Sequence, residues 1–138
     1  MKIRYRYRIY PNKKQREYLD IQFGHNRFIW NYFVALIDTH GYMSYSEMNH
    51  YLTHVVKSQY DWLSDAVAQT LQQTLKDLSQ SYKNHVRAKN LFGKPRFKKK
   101  HWRQAVRFPQ YVSVDRELKT IKLQKLDDPI KIILHRDL

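Results

Sequence analysis

From Lys2 to Ile9 the chain alternates without a fault. Lys2, Arg4, Arg6 and Arg8 fall on one side of an extended strand, and Ile3, Tyr5, Tyr7 and Ile9 on the other. That period of two predicts a half-buried β-strand with a wholly cationic outer face. Tyr10-Pro11-Asn12 ends it, and Asn12 with Gln15 three residues on has the form of a helix capping box. Tyr18, Leu19 and Phe23 give this first helix an inward side, and Gly24 is its expected stop. A second helix is predicted from about His25 to about Thr39. Phe28, Ile29, Tyr32, Phe33, Leu36 and Ile37 form its broad apolar stripe, and Gly41 closes it. Ser44 or Ser46 then caps a short third helix carrying Met48, Leu52, Val55 and Val56. Short helices across a glycine turn suggest a helix-turn-helix, a pattern shared with many helical hairpins that never touch DNA.

Trp62-Leu63-Ser64-Asp65 opens what reads as the longest helix, running to about Ala88. Val67, Leu71, Leu75, Leu78 and Tyr82 are its ladder, and Gln69, Gln72, Gln73 and Gln80 enrich its middle. After Gly93 the period changes from 3.6 to 2. Lys94 to Arg103 reads as a basic loop. Strands are expected at about 104–108, 111–114, 118–123 and 130–134, with turns at Pro109, Asp115-Arg116-Glu117 and Asp127-Asp128-Pro129. The order strand, helices, strands predicts an α+β fold: a small antiparallel β-barrel or sheet with a helical bundle inserted after its first strand. The expected divisions are residues 1–10 for the first strand, 11–92 for the bundle, and 93–138 for the basic loop and remaining strands.

Charge sharpens this picture. The 138 residues include 26 Lys and Arg against 12 Asp and Glu, a formal charge of +14. Residues 1–16 carry +7 and residues 83–125 carry +12, while 17–82 carry −4 and 126–138 carry −1. Two strongly basic segments thus bracket an acidic middle, and like-charged segments remote in sequence are candidates for one binding face. Such a charge speaks of partners: nucleic acid, an anionic membrane surface or an acidic protein. Cysteine is absent, which removes disulfides and thiolate chemistry and fits a cytoplasmic location. The N-terminus lacks the apolar run of a secretory signal, and Phe28 to Ile37 is too short to span a bilayer. No membrane role is expected.

No catalytic constellation is evident. Asp127-Asp128 reads as a turn beside Pro129 rather than a metal-holding pair. His50 and His54, four apart, read as a solvated helix face with no third ligand. No cofactor is expected, and no metal site. The stretch Lys94-Pro95-Arg96-Phe97-Lys98-Lys99-Lys100-His101-Trp102-Arg103 is stronger evidence. Its cations can neutralise phosphates and its rings can stack bases. The plainer alternative is a solvated loop with its two aromatics anchored in the core. Gln and Asn side chains can read adenine edges, although a single exposed glutamine is more often only a helix surface.

Several of these runs, in order, resemble the OrfB/TnpB family of transposon-encoded proteins related to type V CRISPR nucleases. They are Arg8-Ile9-Tyr10-Pro11-Asn12 with Gln15; Gly24 with Arg27-Phe28-Ile29-Trp30-Asn31; and Ser44-Tyr45 with Leu52-Thr53. Trp62-Leu63 before Leu71-Gln72-Gln73-Thr74-Leu75-Lys76-Asp77-Leu78 follows. Tyr82-Lys83-Asn84, Pro95-Arg96-Phe97-Lys98-Lys99-Lys100 and Arg107-Phe108-Pro109-Gln110 complete the set. The resemblance implies a wedge-type barrel interrupted by a recognition bundle. It implies binding of a guide RNA and of a short duplex DNA motif, with base pairing reading the long target.

By that resemblance Tyr45, Asn49, Gln69 and Gln72 fall where the family's bundle meets the motif duplex, and residues 108 to 110, Gln110 among them, on the loop completing that site. Arg4, Arg6, Arg8, Arg27, Lys76 and Lys83 are further candidates for nucleic-acid contact. So are Arg96, Lys98, Lys99, Lys100, Arg103 and Arg107. Gln124-Lys125-Leu126-Asp127 departs from the family's Pro-Lys-Leu-Gly. The family's RuvC-like nuclease core is expected to begin where this chain ends. The leading expectation is a nucleic-acid-binding module with no nuclease activity of its own: a fragment, a decayed gene or a binding remnant. The rival is a DNA-binding component of a transposase or nuclease completed by a missing domain or partner. A basic interaction protein is the second rival. The oligomeric state stays open.

Overall fold

The computed structural model describes residues 7–100, 105–108, 112–115, 117–126 and 128–134. The expectations at Arg4, Arg6, Trp102, Arg103, Gln110 and Asp127 lie outside these residues. Strand β1 (Tyr7–Tyr10) leads into helix α1 (Lys13–His40), followed by α2 (Tyr45–Tyr51), α3 (Lys57–Gln59) and α4 (Ala68–Arg87). Strands β2 (Ser113–Asp115), β3 (Thr120–Lys122) and β4 (Ile130–Leu134) come last. They form an antiparallel sheet in the order β1-β4-β3-β2, so the first strand pairs with the last. Ile9 lies opposite Ile132, and Ile121 opposite both Ile130 and Val114. The fold is therefore α+β with the helices following the first strand. Among the described residues the sheet is open, with β1 and β2 at its edges, rather than a closed barrel.

Three boundaries differ from those the sequence suggests. Gly24 does not stop a helix; α1 runs 28 residues through it. A mid-helix glycine costs only about 1 kcal/mol relative to alanine, which tertiary packing readily overrides. The buried side of α1 is Gln15, Gln22, Asn26, Ile29, Phe33 and Ile37, a line that crosses Gly24 unbroken and is polar in its first half. Next, the short third helix continues past Tyr51 through a π-helical turn at Leu52–Val56. The wider turn keeps Met48, Leu52 and Val56 all in the core. Finally, Asp61–Asp65 is a separate 3-10 turn, and the main helix begins at Ala68. Residues 105–108 form no strand; Phe108 packs instead against a small core of Leu123, Leu126 and Ile130.

Helix α1 belongs to both cores. Its capping box is formed: the Gln15 amide N–H donates to Asn12 Oδ1 at 2.9 Å, and the Asn12 N–H to Gln15 Oε1 at 2.8 Å. Gln15 Nε2 then donates to the carbonyls of Asp128 and Pro129, at 3.2 and 3.1 Å, just before β4. The Tyr18 hydroxyl donates to the Gln124 carbonyl, and burial pushes that phenol up to about 12, so it stays a neutral donor. Further along, Ile29, Phe33, Val34 and Ile37 pack with Met48, Leu52, Leu63, Leu71, Leu75 and Leu78 in the larger core. On one flank Phe28 and Tyr32 pack edge-on with Tyr60. The Phe28 ring also meets Trp62 with centroids 4.9 Å apart.

The start of α4 has no side-chain cap of its own. Val67 occupies the capping position, and its side chain cannot accept a hydrogen bond. The Val67 N–H donates instead to Oε1 of buried Gln22, at 3.1 Å. Asn26 Nδ2 donates to the Thr70 hydroxyl oxygen at 3.2 Å, and the Thr74 hydroxyl donates to Asn26 Oδ1 at 2.6 Å. A buried polar ladder thus joins the two longest helices where apolar contact is thin.

Two substitutions test this account with opposite signs. A Cβ at Gly24 meets nothing within 4 Å. Gly24→Ala should therefore stabilise the fold by about 0.4–1 kcal/mol through the unfolded chain's lost freedom. Gln22→Ala strands the buried Val67 N–H and should cost about 1–3 kcal/mol. Urea denaturation of both variants measures the pair; a Gly24→Ala loss would mean that α1 needs a break there.

Candidate nucleic-acid interface

The expected contact residues gather on two separate surfaces. The first is the outer side of α4 with α2. Gln69, Gln72, Lys76 and Lys83 are spaced three, four and seven, which places them on one stripe beside the buried Leu71-Leu75-Leu78 line. Tyr45 and Asn49, four apart on α2, share a face in the same way. Ser44 fixes the helix that carries them: its hydroxyl accepts from the Glu47 N–H at 3.2 Å. The two helices meet where Lys76 Nζ lies 5.3 Å from the Tyr45 ring centroid. Arg107 also reaches α4, where it pairs with Asp77 at 2.7 Å. Gln73 Nε2 donates to the same carboxylate at 3.0 Å. Arg107 is thus held on α4 as one half of an ion pair.

The second surface is the basic loop of residues 94–100, which lies along α1. The reason is a set of polar side chains on the helix flank at Trp30, Asn31 and Asp38. Lys94 pairs with Asp38 at 2.7 Å. Trp30 Nε1 donates to the Arg96 carbonyl at 2.7 Å. Asn31 holds Lys98 at two points: its Oδ1 accepts from the Lys98 N–H at 2.7 Å, and its Nδ2 donates to the Lys98 carbonyl at 3.0 Å. Pro95 is buried beneath. Lys98 Nζ sits over the Trp30 ring, 4.1 Å from its centroid. Partial burial lowers the Lys98 pKa, and the Asp77 carboxylate opposes that shift.

The loop is therefore ordered, and the anchoring ring is on the helix rather than in the loop. Phe97 is 53% exposed instead of sunk in the core. Arg96, Lys98, Lys99 and Lys100 all reach the surface. Arg27, on α1 one turn before Asn31, lines a cavity of about 60 Å³ together with Lys98 and Lys99. Arg8 is exposed on edge strand β1. His50 and His54 stack with ring centroids 4.2 Å apart, both exposed.

Trp30, Asn31, Asp38 and Asp77 were not singled out by the sequence as site residues, yet they hold Arg96, Lys98, Lys94 and Arg107. Only charge complementarity hinted at the two acids: a lysine-rich segment needs carboxylates to lie against, and the acidic middle supplies them.

Residues 1–40 match the helix-turn-helix domain of the OrfB IS605 type, a stretch that covers β1 and α1 and ends one residue before the Gly41 turn into α2. Gly41 has φ 98°, a conformation that favours glycine. Over 86 residues, 62% of the chain, the sequence is 42% identical to the protein named Putative RNA-guided DNA endonuclease InsQ of Escherichia coli K12. The matched part spans 21% of that relative's length. In these stretches the chain is similar to the N-terminal part of the OrfB/TnpB family. Among the described residues no helix is long and apolar enough to cross a membrane.

The Asn31 clamp can be measured. Asn31→Ala removes both bonds to Lys98, each worth about 0.5–1.5 kcal/mol. The Lys98 amide should then exchange faster with solvent, and trypsin should cut sooner between Arg96 and Lys100. Unchanged exchange and cleavage would show that Trp30 and Asp38 hold the loop without it.

Proposed function

We propose that this chain is the nucleic-acid-binding part of a TnpB-like protein, engaging a guide RNA and a short duplex DNA motif. In this reading cleavage belongs to other parts of a longer protein. The observation that carries it is the docked basic loop. Four cations in five residues are held against α1 by Trp30, Asn31 and Asp38 rather than left trailing. A solvated, non-binding loop has no need of that scaffold, whereas a phosphate-binding surface gains from it, because ordering is completed before the ligand arrives.

The two surfaces suggest a division of labour. Cations of the loop meet phosphates and set position, which carries no sequence information. The Tyr45-Asn49-Gln72 face offers amides and a ring that can meet base edges, while the amide oxygen of the neighbouring Gln69 is buried. The family likeness supports assigning the motif duplex to that face, and the relative's printed name supports an RNA guide.

Selection on randomised duplex DNA, with a transposon-end RNA present, tests the assignment. Gln72→Ala should cost about 1–3 kcal/mol at one base position and leave the salt dependence alone. Tyr45→Ala should relax preference at a neighbouring position. Duplex binding without any preference, or preferences unchanged in both variants, would remove this face from the readout.

A further inference from the structure

We propose that the cavity between α1, α4 and the basic loop is a built phosphate site, in which Arg27, Lys98 and Lys99 together hold one phosphate group. The cavity measures about 60 Å³ and is lined by Phe23, Asn26, Arg27, Thr74, Lys98, Lys99 and Ala105. One water needs roughly 10–15 Å³ of such space. The volume therefore takes a compact group of about four or five heavy atoms, the size of a phosphate. None of its described lining residues is acidic.

The cations converge only in the folded chain. Arg27 comes from α1, and Lys98 and Lys99 come from a loop about seventy residues further on. Their placement is fixed independently of any ligand. Asn31 grips the Lys98 backbone on both sides, and Trp30 fixes Arg96 through its carbonyl. The floor is equally set, because the Thr74 hydroxyl is spent on Asn26 Oδ1 and the Asn26 amide on Gln22 and Thr70. The floor is neutral and satisfied, and the charge sits at the walls.

Arg27, Lys98 and Lys99 bring three cationic side chains to the lining of one small cavity, and partial burial disfavours the charged form of Lys98. Asp77, the carboxylate that acts on Lys98, is already bound to Arg107 at 2.7 Å. An entering dianion or phosphodiester is attracted by this charge, and an arginine fork with two lysines at the same lining suits its oxygens. The phosphate can belong to a nucleic-acid backbone or be free in solution. This site deepens the nucleic-acid reading and rests on it for the first source only.

The experiment uses the whole chain with two probes, inorganic phosphate and a DNA duplex. The variants are Arg27→Gln, Lys98→Gln and Lys99→Gln, singly and together. Because the three share one phosphate, the triple variant should flatten the slope of log K against log salt by one contact, roughly 0.7–0.9. Each single variant should produce most of that change. Ala105→Glu, which brings a carboxylate to the wall and keeps every cation, should do the same, and Lys99→Arg should retain binding. Flattening by about three contacts would mean independent surface charges, and an unmoved slope in the triple variant would mean no contact; either overturns the site and leaves nucleic-acid binding intact. If the wild type ignores the duplex, millimolar phosphate decides. A raised unfolding temperature that the triple variant and Ala105→Glu both lose supports a free-phosphate site. No rise overturns the site.

Discussion

The continuity of α1 through Gly24 is the constraint on which the rest of the molecule depends. A helix of 28 residues is about 42 Å long, enough to reach from the small sheet to the far end of the bundle. Its first turns are tied to the sheet through Gln15 and Tyr18, and its later turns build the main core through Ile29, Phe33 and Ile37. Were the helix to break at Gly24, the two cores would be joined by a hinge. The loop anchors Asn31 and Asp38 would then lose their fixed relation to Gln15. Lys125 adds a second tie, its ammonium donating to the carbonyls of Ser64 and Ala66 at the approach to α4.

The polar ladder at Gln22, Asn26, Thr70 and Thr74 explains how a helix this long is held where its inward side carries few apolar groups. Buried amides are costly unless paired, and here each pairs across the α1–α4 contact. The gain is directional. Apolar side chains tolerate sliding, whereas Gln22 Oε1 meets the Val67 N–H at only one register. The same bond caps α4, so one side chain sets both the register of the two helices and the start of the second.

This also shows which features were legible in the sequence. The Asn12-Gln15 capping box, the apolar stripe from Phe28 to Ile37, the Leu71-Leu75-Leu78 ladder and strand β4 all follow from local chemistry, and local chemistry suffices to read them. The course of α1 was not legible, because period-based reading looks for apolar residues on the inward side. Gln22 and Asn26 are buried by virtue of partners 44 to 48 residues away, Thr70 and Thr74, or at Val67. Gly24 then looked like an end. The π turn at Leu52–Val56 has no sequence marker, since it is a response to packing that keeps Leu52 and Val56 inside. At the candidate site the charges were evident, but not their anchors: a single Asn31 gives no sign that it will grip Lys98 from 67 positions away.

The acidic middle of the chain takes its meaning from the same contacts. Asp38 and Asp77 each bind a cation of the second basic segment, Lys94 and Arg107, and so bring that segment onto the helices despite its self-repulsion. Both pairs are partly exposed, and such pairs contribute at most about 1 kcal/mol each. Their value is thus in placement more than in stability. At the α2–α4 face the balance of small energies differs. Lys76 lies over the Tyr45 ring, an exposed cation–π contact worth about 0.5–1 kcal/mol. A base stacking on an aromatic side chain contributes about 1–3 kcal/mol. In the proposed reading a base arriving on Tyr45 therefore displaces the ammonium, and the freed Lys76 is left beside the incoming backbone, where a phosphate can take it up. In that reading one lysine couples base recognition to phosphate contact at this face.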